Sequence, residues 1–330
     1  MNNPVKDRAV QDKTIVLTGA SSGVGRAAAL AFASKQATLV LAGRRVELLE
    51  ELVSECEELG ARAIAVDTDV SDPDAMKHLA HEAITLTGRI DVWINNAGVL
   101  AAGPFDETPI EIHRKVLDTN LMGYINGAHA VLPYFKSQGY GVLINNISVG
   151  AWIPTPYAAG YTASKFGMLG FADALRGELR SFKHIHVCNL FPAFLDTPGI
   201  SHAANYTGKA LRPAPPVFSP QRVANAMVRL ATKPVNTTTT DLAAPFLKSA
   251  YSLAPDITVN ITSRVMEQYF KNANPMPATS GNVLSPVKFG SSVSGGWQSM
   301  LKQKAKPGLS KAAVLLASLS IGLLLLGKSS

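Results

Sequence analysis

Acidic residues run out before the chain does. After Glu267 none follows, whereas Lys271, Lys288, Lys302, Lys304, Lys306, Lys311 and Lys328 do, and these seven lysines account for the whole formal charge of +7. The body before them is therefore neutral. It has no basic field to steer nucleic acid, so DNA and RNA are excluded as partners, and the local excess points instead to an anionic surface met by the C-terminus. Cysteine is almost missing. Cys56 and Cys188 stand far apart, which excludes a disulfide framework and a cysteine metal site and reads as two buried free thiols in a reducing compartment. The seven histidines are scattered, and His184 with His186 reads as structural, so no metal is expected. Residues 1–13 lack the apolar core of an export signal.

What is present is an ample core: 330 residues, 47% of them hydrophobic and 17% charged. Apolar strand-like runs at 14–17, 38–41, 63–66, 92–95, 142–147 and 186–190 alternate with amphipathic helical patterns such as 46–59 and 74–86. That alternation predicts parallel strands joined by right-handed helical crossovers, a Rossmann-type doubly wound α/β sheet. A short β-rich run at 235–239 adds an edge strand, which closes a main domain over 1–240. A helical extension over 241–271 follows, read as two helices, 241–251 and 256–270, each opened by an aspartate cap. Residues 272–310 are rich in Gly, Ser, Pro, Asn and Lys and read as a flexible basic linker. No internal repeat is evident.

The run Thr18-Gly19-Ala20-Ser21-Ser22-Gly23-Val24-Gly25 follows the first strand and opens a helix at Arg26. Glycines there permit a tight turn and close backbone approach, and free amides at the helix start meet a pyrophosphate. The strand before and the helix after supply the context that a glycine-rich run alone lacks. Dinucleotide binding follows.

This run resembles the TGxxxGxG form of short-chain dehydrogenases/reductases. Further matches come in order: Asp69-Val70, then Asn95-Asn96-Ala97-Gly98, Asn120, Ser148 and Tyr161-Thr162-Ala163-Ser164-Lys165. The resemblance covers residues 12–235 and implies an oxidoreductase. It implies that Gly19, Ser21, Ser22, Gly23, Val24 and Gly25 hold the cofactor phosphates, that Asp69 and Val70 contact the adenine, and that Asn95, Ala97 and Gly98 lie along the cofactor. Pro192-Ala193 resembles the family's Pro-Gly segment, which implies that Pro192 and Thr197 border the nicotinamide carboxamide. Members that bind NAD carry an acid at the end of the second strand, where this chain has Gly43 followed by Arg44 and Arg45. With no carboxylate to repel a 2′-phosphate, and with arginine forks that suit one, the cofactor is read as NADP(H).

Tyr161 and Lys165 stand four residues apart, hence on one face of a helix. An ammonium beside a phenol favours phenolate, so the pair predicts a tyrosine pulled towards the working pH range, while Lys165 donates to the nicotinamide ribose. By the resemblance, Tyr161 is the acid/base of hydride transfer to a carbonyl or from an alcohol. Ser148 then holds the substrate oxygen, and Asn120 holds a water behind the lysine; the alternative for Asn120 is a helix-interior amide with a structural role. A non-catalytic NADP(H)-binding sensor or scaffold is the rival reading, and relatives of that kind generally lose the tyrosine or lysine that this chain keeps.

The sixteen uncharged residues 312–327, bracketed by Lys311 and Lys328, give the segment 311–330 an all-round apolar character. It is read as a shallow or barely spanning membrane anchor, a short transmembrane helix, on a cytoplasmic catalytic domain, the alternative being a helix packed on the domain or on a partner subunit. An anchor favours a lipophilic carbonyl or alcohol substrate. A homo-oligomer is expected.

Overall fold

The computed structural model describes residues 10–241 and 243–304. Seven strands form one parallel sheet: β1 (Thr14–Thr18), β2 (Thr38–Gly43), β3 (Arg62–Asp67), β4 (Val92–Asn95), β6 (Gly141–Asn146), β7 (Ile185–Phe191) and β9 (Thr237–Thr239). Their spatial order is β3-β2-β1-β4-β6-β7-β9, with a small separate pairing of β5 (Ala101–Ala102) and β8 (Ala204–Asn205). Register runs Ile15 beside Leu39 and Val92, and Ile144 beside Cys188. The expected doubly wound α/β class is the observed one.

The side-chain period of two divides the sheet into two cores. Ile15, Leu17, Leu39, Leu41, Ile94 and Ile144 face one side. There they meet Phe32 of α1 (Gly23–Ala33), Leu49 and Leu52 of α2 (Val46–Glu58), and Met227 of α7 (Gln221–Leu230). Val16, Val40, Trp93, Leu143 and Val187 face the other. They pack on Leu79 of α3 (Pro73–Thr87), Phe135 of α5 (Gly123–Gln138) and Ala172 of α6 (Ala159–Glu178). Helix α4 (Ile110–Leu117) precedes α5, and the turn between them, Asp118–Met122, is π-helical. Every strand runs the same way, so loops and helix starts at the carboxyl ends converge on one edge, where such folds bind ligands.

The two expected C-terminal helices are α8 (Ala243–Leu253) and α9 (Pro255–Asn272). Asp241 does cap the first, accepting from the Ala244 N–H at 2.9 Å. Asp256 does not cap the second: the N-cap is Ala254, Pro255 takes the first helical position, and Asp256 sits in the first turn, where its charge still favours the helix dipole.

The stretch expected as a flexible linker lies against the catalytic body over its described part. Val283 is fully buried with Val99, Ala101 and Ala204, and a further helix, α10 (Trp297–Lys304), follows. Apolar burial and backbone hydrogen bonds at single positions hold it, neither of which leaves a periodic pattern. No helix among the described residues is long and apolar enough to cross a membrane. The apolar segment 311–330, expected to be an anchor, lies outside the described residues.

Candidate active site

The loop between β1 and α1 shapes the floor of a cleft of about 430 Å³. Gly19 has φ +67, and a Cβ there would come within 2.7 Å of Ala97 Cα; a Cβ on Gly25 would overlap the carbonyl of Gly19. The backbone therefore closes on itself only with glycine at both positions, and this leaves room for a ligand against the helix start. Thr18 ties this loop to the turn after β4: its Oγ1 accepts from the N–H groups of Asn96 at 3.0 Å and Ala97 at 3.2 Å. Asn96 in turn donates to the carbonyls of Thr18 and Gly19, at 3.0 and 3.2 Å.

Of the residues expected at the cofactor, Gly19, Ser21, Ser22, Gly23, Val24 and Gly25 line the cleft, as do Arg44, Arg45, Asp69, Val70, Ala97, Gly98, Pro192 and Thr197. Asn95 does not. It ends β4 pointing into the core, accepts from Trp93 Nε1 at 2.9 Å and donates to Asn145 Oδ1 at 3.1 Å. Asn145 passes the chain on to Asn189 at 3.2 Å, so Asn95 begins an amide ladder across three strands while Asn96, one residue on, faces the cleft. The pleat separates the two neighbours.

Asp69 accepts from the Ser71 N–H at 2.9 Å and hydroxyl at 2.7 Å and lies 3.4 Å from Lys115 Nζ. Burial pushes its carboxyl up, but Ser71, Lys115 and Arg44 together hold it below the usual carboxylate range. Arg45 donates to Ser21 Oγ through Nε at 3.2 Å and Nη2 at 3.0 Å, which fastens the end of β2 to the glycine loop.

Tyr161, Lys165 and Ser148 meet in the same cleft. Helix α6 begins just before Tyr161, so Lys165 falls one turn further along the same face. Its Nζ stands 5.3 Å from the centroid of the Tyr161 ring and 5.7 Å from that of Tyr124. Ser148 Oγ and the Tyr161 ring both stand beside Gly150, 3.5 and 3.3 Å from where a Cβ would lie there, and Ser148 Oγ accepts from the Gly150 N–H at 3.1 Å. Burial lowers Lys165 to about 7 and raises Tyr161, with the Ser148 hydrogen bond pulling the phenol part of the way back down. The net shift of Tyr161 is thus upward, against the downward pull read from the Tyr–Lys spacing alone, because desolvation of the phenolate is the larger effect.

Asn120 lies in the π turn, fully buried and behind the cleft. Its amide is occupied on both sides: Nδ2 donates to the Val99 carbonyl at 2.9 Å and to Ser164 Oγ at 3.1 Å, and Oδ1 accepts from the Val99 N–H at 2.8 Å. Ser164 donates to the Tyr161 carbonyl at 2.6 Å. The side chain therefore braces the helix that carries Tyr161 and Lys165.

The family model for short chain dehydrogenase matches residues 13–205. This chain belongs to the short-chain dehydrogenase/reductase family. It is 32% identical over 267 residues to the uncharacterized oxidoreductase YxnA of Bacillus subtilis (strain 168), a match that covers 79% of this chain and 74% of that protein. Over 187 residues it is 35% identical to 11-beta-hydroxysteroid dehydrogenase 1A of Arabidopsis thaliana, covering 56% of this chain and 53% of the relative. Among solved structures, an alcohol dehydrogenase from Thermococcus sibiricus complexed with 5-hydroxy-NADP aligns at TM-score 0.61 and 25% identity, over 69% of this chain and 96% of that one. A short chain dehydrogenase/reductase from Burkholderia phymatum in complex with NAD aligns at TM-score 0.66 and 25% identity, over 82% and 99%. The short-chain dehydrogenase/reductase described here is therefore an oxidoreductase.

Several cleft residues of this enzyme lie outside every sequence motif. Asn282, Pro286 and Val287 reach it from the C-terminal stretch, and His202 from the loop before β8. Asp241 joins the wall indirectly, accepting from the Ala193 N–H at 3.3 Å. Nothing periodic marks these positions.

Proposed function

We propose that this enzyme is NADP(H)-dependent and moves a hydride between the nicotinamide and the carbon of a carbonyl or secondary alcohol, with Tyr161 as general acid/base. The meeting of Tyr161, Ser148 and Lys165 in one cleft carries the reading. Two hydroxyls in the wall of that cleft give a substrate oxygen a proton donor and a second hydrogen bond in one place. The bound cofactor supplies or accepts the hydride at its nicotinamide ring. In reduction Tyr161 donates its phenolic proton to the substrate oxygen while Ser148 holds that oxygen; in oxidation Tyr161 takes the proton back. Lys165, buried beside the ring, stabilises the phenolate when charged and places a cation at the ribose side of the cleft. Asn120 serves by keeping Ser164, and through it the Tyr161 backbone, in place.

Gly43 and Arg44 support NADP(H), since the wall at the end of β2 offers a guanidinium and no carboxylate. Leu100, Val149, Phe194 and Ile200 make the remaining wall largely apolar and support a lipophilic carbonyl or alcohol. The lysine-bracketed apolar run at 312–327 supports attachment of the C-terminus to a membrane, with the catalytic unit on its cytoplasmic face.

A panel of lipophilic and polar carbonyls followed by NADPH absorbance tests the activity, with Tyr161→Phe as the control. That variant deletes one proton donor and little volume, so turnover should fall roughly a hundredfold or more while NADPH still binds. Retention of more than about a tenth of the wild-type rate would remove Tyr161 from the mechanism.

A further inference from the structure

Beyond the residues that match the family model, the chain returns to the cofactor cleft and crosses it. Residues 279–297 form a strap fastened at both ends. At one end Thr279 and Asn205 exchange backbone hydrogen bonds at 2.8 and 3.0 Å, Asn282 N–H donates to the His202 carbonyl at 2.8 Å, and Val283 is buried. Gly281, at φ +51, lies so close to the carbonyls of His202 and Ala203 that a Cβ would overlap them. At the other end the Asp196 carboxylate accepts from the Trp297 N–H at 2.7 Å and from Ser294 Oγ at 2.8 Å, while Trp297 Nε1 donates to the Thr197 carbonyl at 3.0 Å.

Between its anchors the strap meets three of the donors assigned above to the dinucleotide. The carbonyl of Asn282 accepts from Arg44 Nη2 at 2.8 Å, that of Phe289 from Arg45 Nη1 at 3.2 Å, and that of Ser292 from the Gly23 N–H at 3.0 Å. A guanidinium has five N–H groups, so one carbonyl fixes the orientation of Arg44 and leaves other donors for an anion. Asn282 is among the residues that line the cleft, as are Gly43, Arg44 and Asp69, and its Oδ1 is buried without a hydrogen-bond partner among the described residues. A buried acceptor without a donor is unfavourable and rare in folded proteins.

We propose that the strap is a built-in wall of the dinucleotide site and that Asn282 recognises the adenosine half of the cofactor. The chemistry divides the work. Phosphates bring only acceptors, which suit Arg44; the adenine amino group and the ribose hydroxyls bring donors, which suit Asn282 Oδ1. Asn282 is thus a recognition residue outside the family motifs, held in register by Gly281 and Val283. The inference rests on the dinucleotide reading of the cleft and not on the choice of NADP(H) over NAD(H), because both cofactors carry the same adenosine donors.

The test is titration of the full-length protein with NADPH and, separately, NADH, read by cofactor fluorescence, for wild type, Asn282→Ala and Arg44→Ala. Melting of the cofactor-free protein is followed alongside. Asn282→Ala should weaken both cofactors by roughly threefold to tenfold, the size of one lost hydrogen bond, with melting of the cofactor-free protein unchanged. Arg44→Ala should weaken NADPH alone. Binding of both cofactors to Asn282→Ala within about twofold of wild type overturns the proposal, as does a variant that melts lower yet binds normally. An Arg44→Ala protein that still prefers NADPH, beside an Asn282→Ala protein that binds both weakly, overturns the assignment of the 2′-phosphate to Arg44 and upholds this one.

Discussion

Lys165 Nζ stands 5.3 Å from the centroid of the Tyr161 ring, with Lys165 buried and Tyr161 partly buried in the wall of the cleft. That burial has a thermodynamic consequence. Lys165 is lowered to about 7 from 10.5, so between those values the unfolded chain holds a proton that the folded chain has released. Stability contributed by this site is fully present above the unfolded value and is lost as pH falls towards about 7, so folding stability should rise with pH across that window. Tyr161 and Tyr124 are raised by burial and act in the opposite sense above their ordinary value of 10.0, which confines the useful range to the lower part. Urea midpoints of the cofactor-free protein at about pH 7 and about pH 9 should therefore increase, and Lys165→Met should flatten the increase. An equal rise in the variant would show that Lys165 is not its source.

Ser148 holds its hydroxyl towards Tyr161 at a backbone cost. Its φ of 146 and ψ of 158 lie in a region that is essentially glycine's own. Such strain is worth about 1–3 kcal/mol, more than the hydrogen bond to Gly150 returns. Ser148→Gly should accordingly raise unfolding free energy by about 1 kcal/mol while lowering kcat by roughly a hundredfold. Chemical denaturation beside steady-state kinetics separates the two effects, and a variant that is both less stable and fully active would refute them together.

Cofactor choice should reside at the end of β2. Gly43 does not have a left-handed φ, and a Cβ there would meet only Leu49 Cδ1 at 3.8 Å, so an aspartate fits without rearrangement. Gly43→Asp combined with Arg44→Ser supplies an acceptor for the ribose 2′-OH and removes the phosphate partner. The ratio of kcat/KM for NADPH over NADH should drop by roughly a hundredfold, about 2.7 kcal/mol. No change in that ratio would dismiss the assignment.

The C-terminal run offers a test that needs no kinetics. Full-length protein should sediment with membranes, and a chain ending at Lys304 should stay in the supernatant with its activity intact, because the apolar residues 312–327 and the lysines beside them are then gone or reduced. Equal partition of the two chains would eliminate membrane attachment through this segment.

Local pattern alone determined most of the enzyme. Strand and helix periods fix which residues face which core, and for β4 the boundaries agree residue for residue with the apolar run at 92–95. The TGxxxGxG turn and the Tyr–Lys spacing were legible for the same reason: each depends on neighbours within a turn or two of chain. Tertiary structure decided the rest. It turned Asn95 into the core and Asn96 to the cleft, occupied the Asn120 amide with Val99 and Ser164, and let desolvation raise Tyr161. It also brought Asn282 to Arg44 across 238 positions of sequence. Contacts between residues so far apart leave no period in either partner, since each needs only one carbonyl or one side chain at the right place. They exist only once the sheet has set the distance between them.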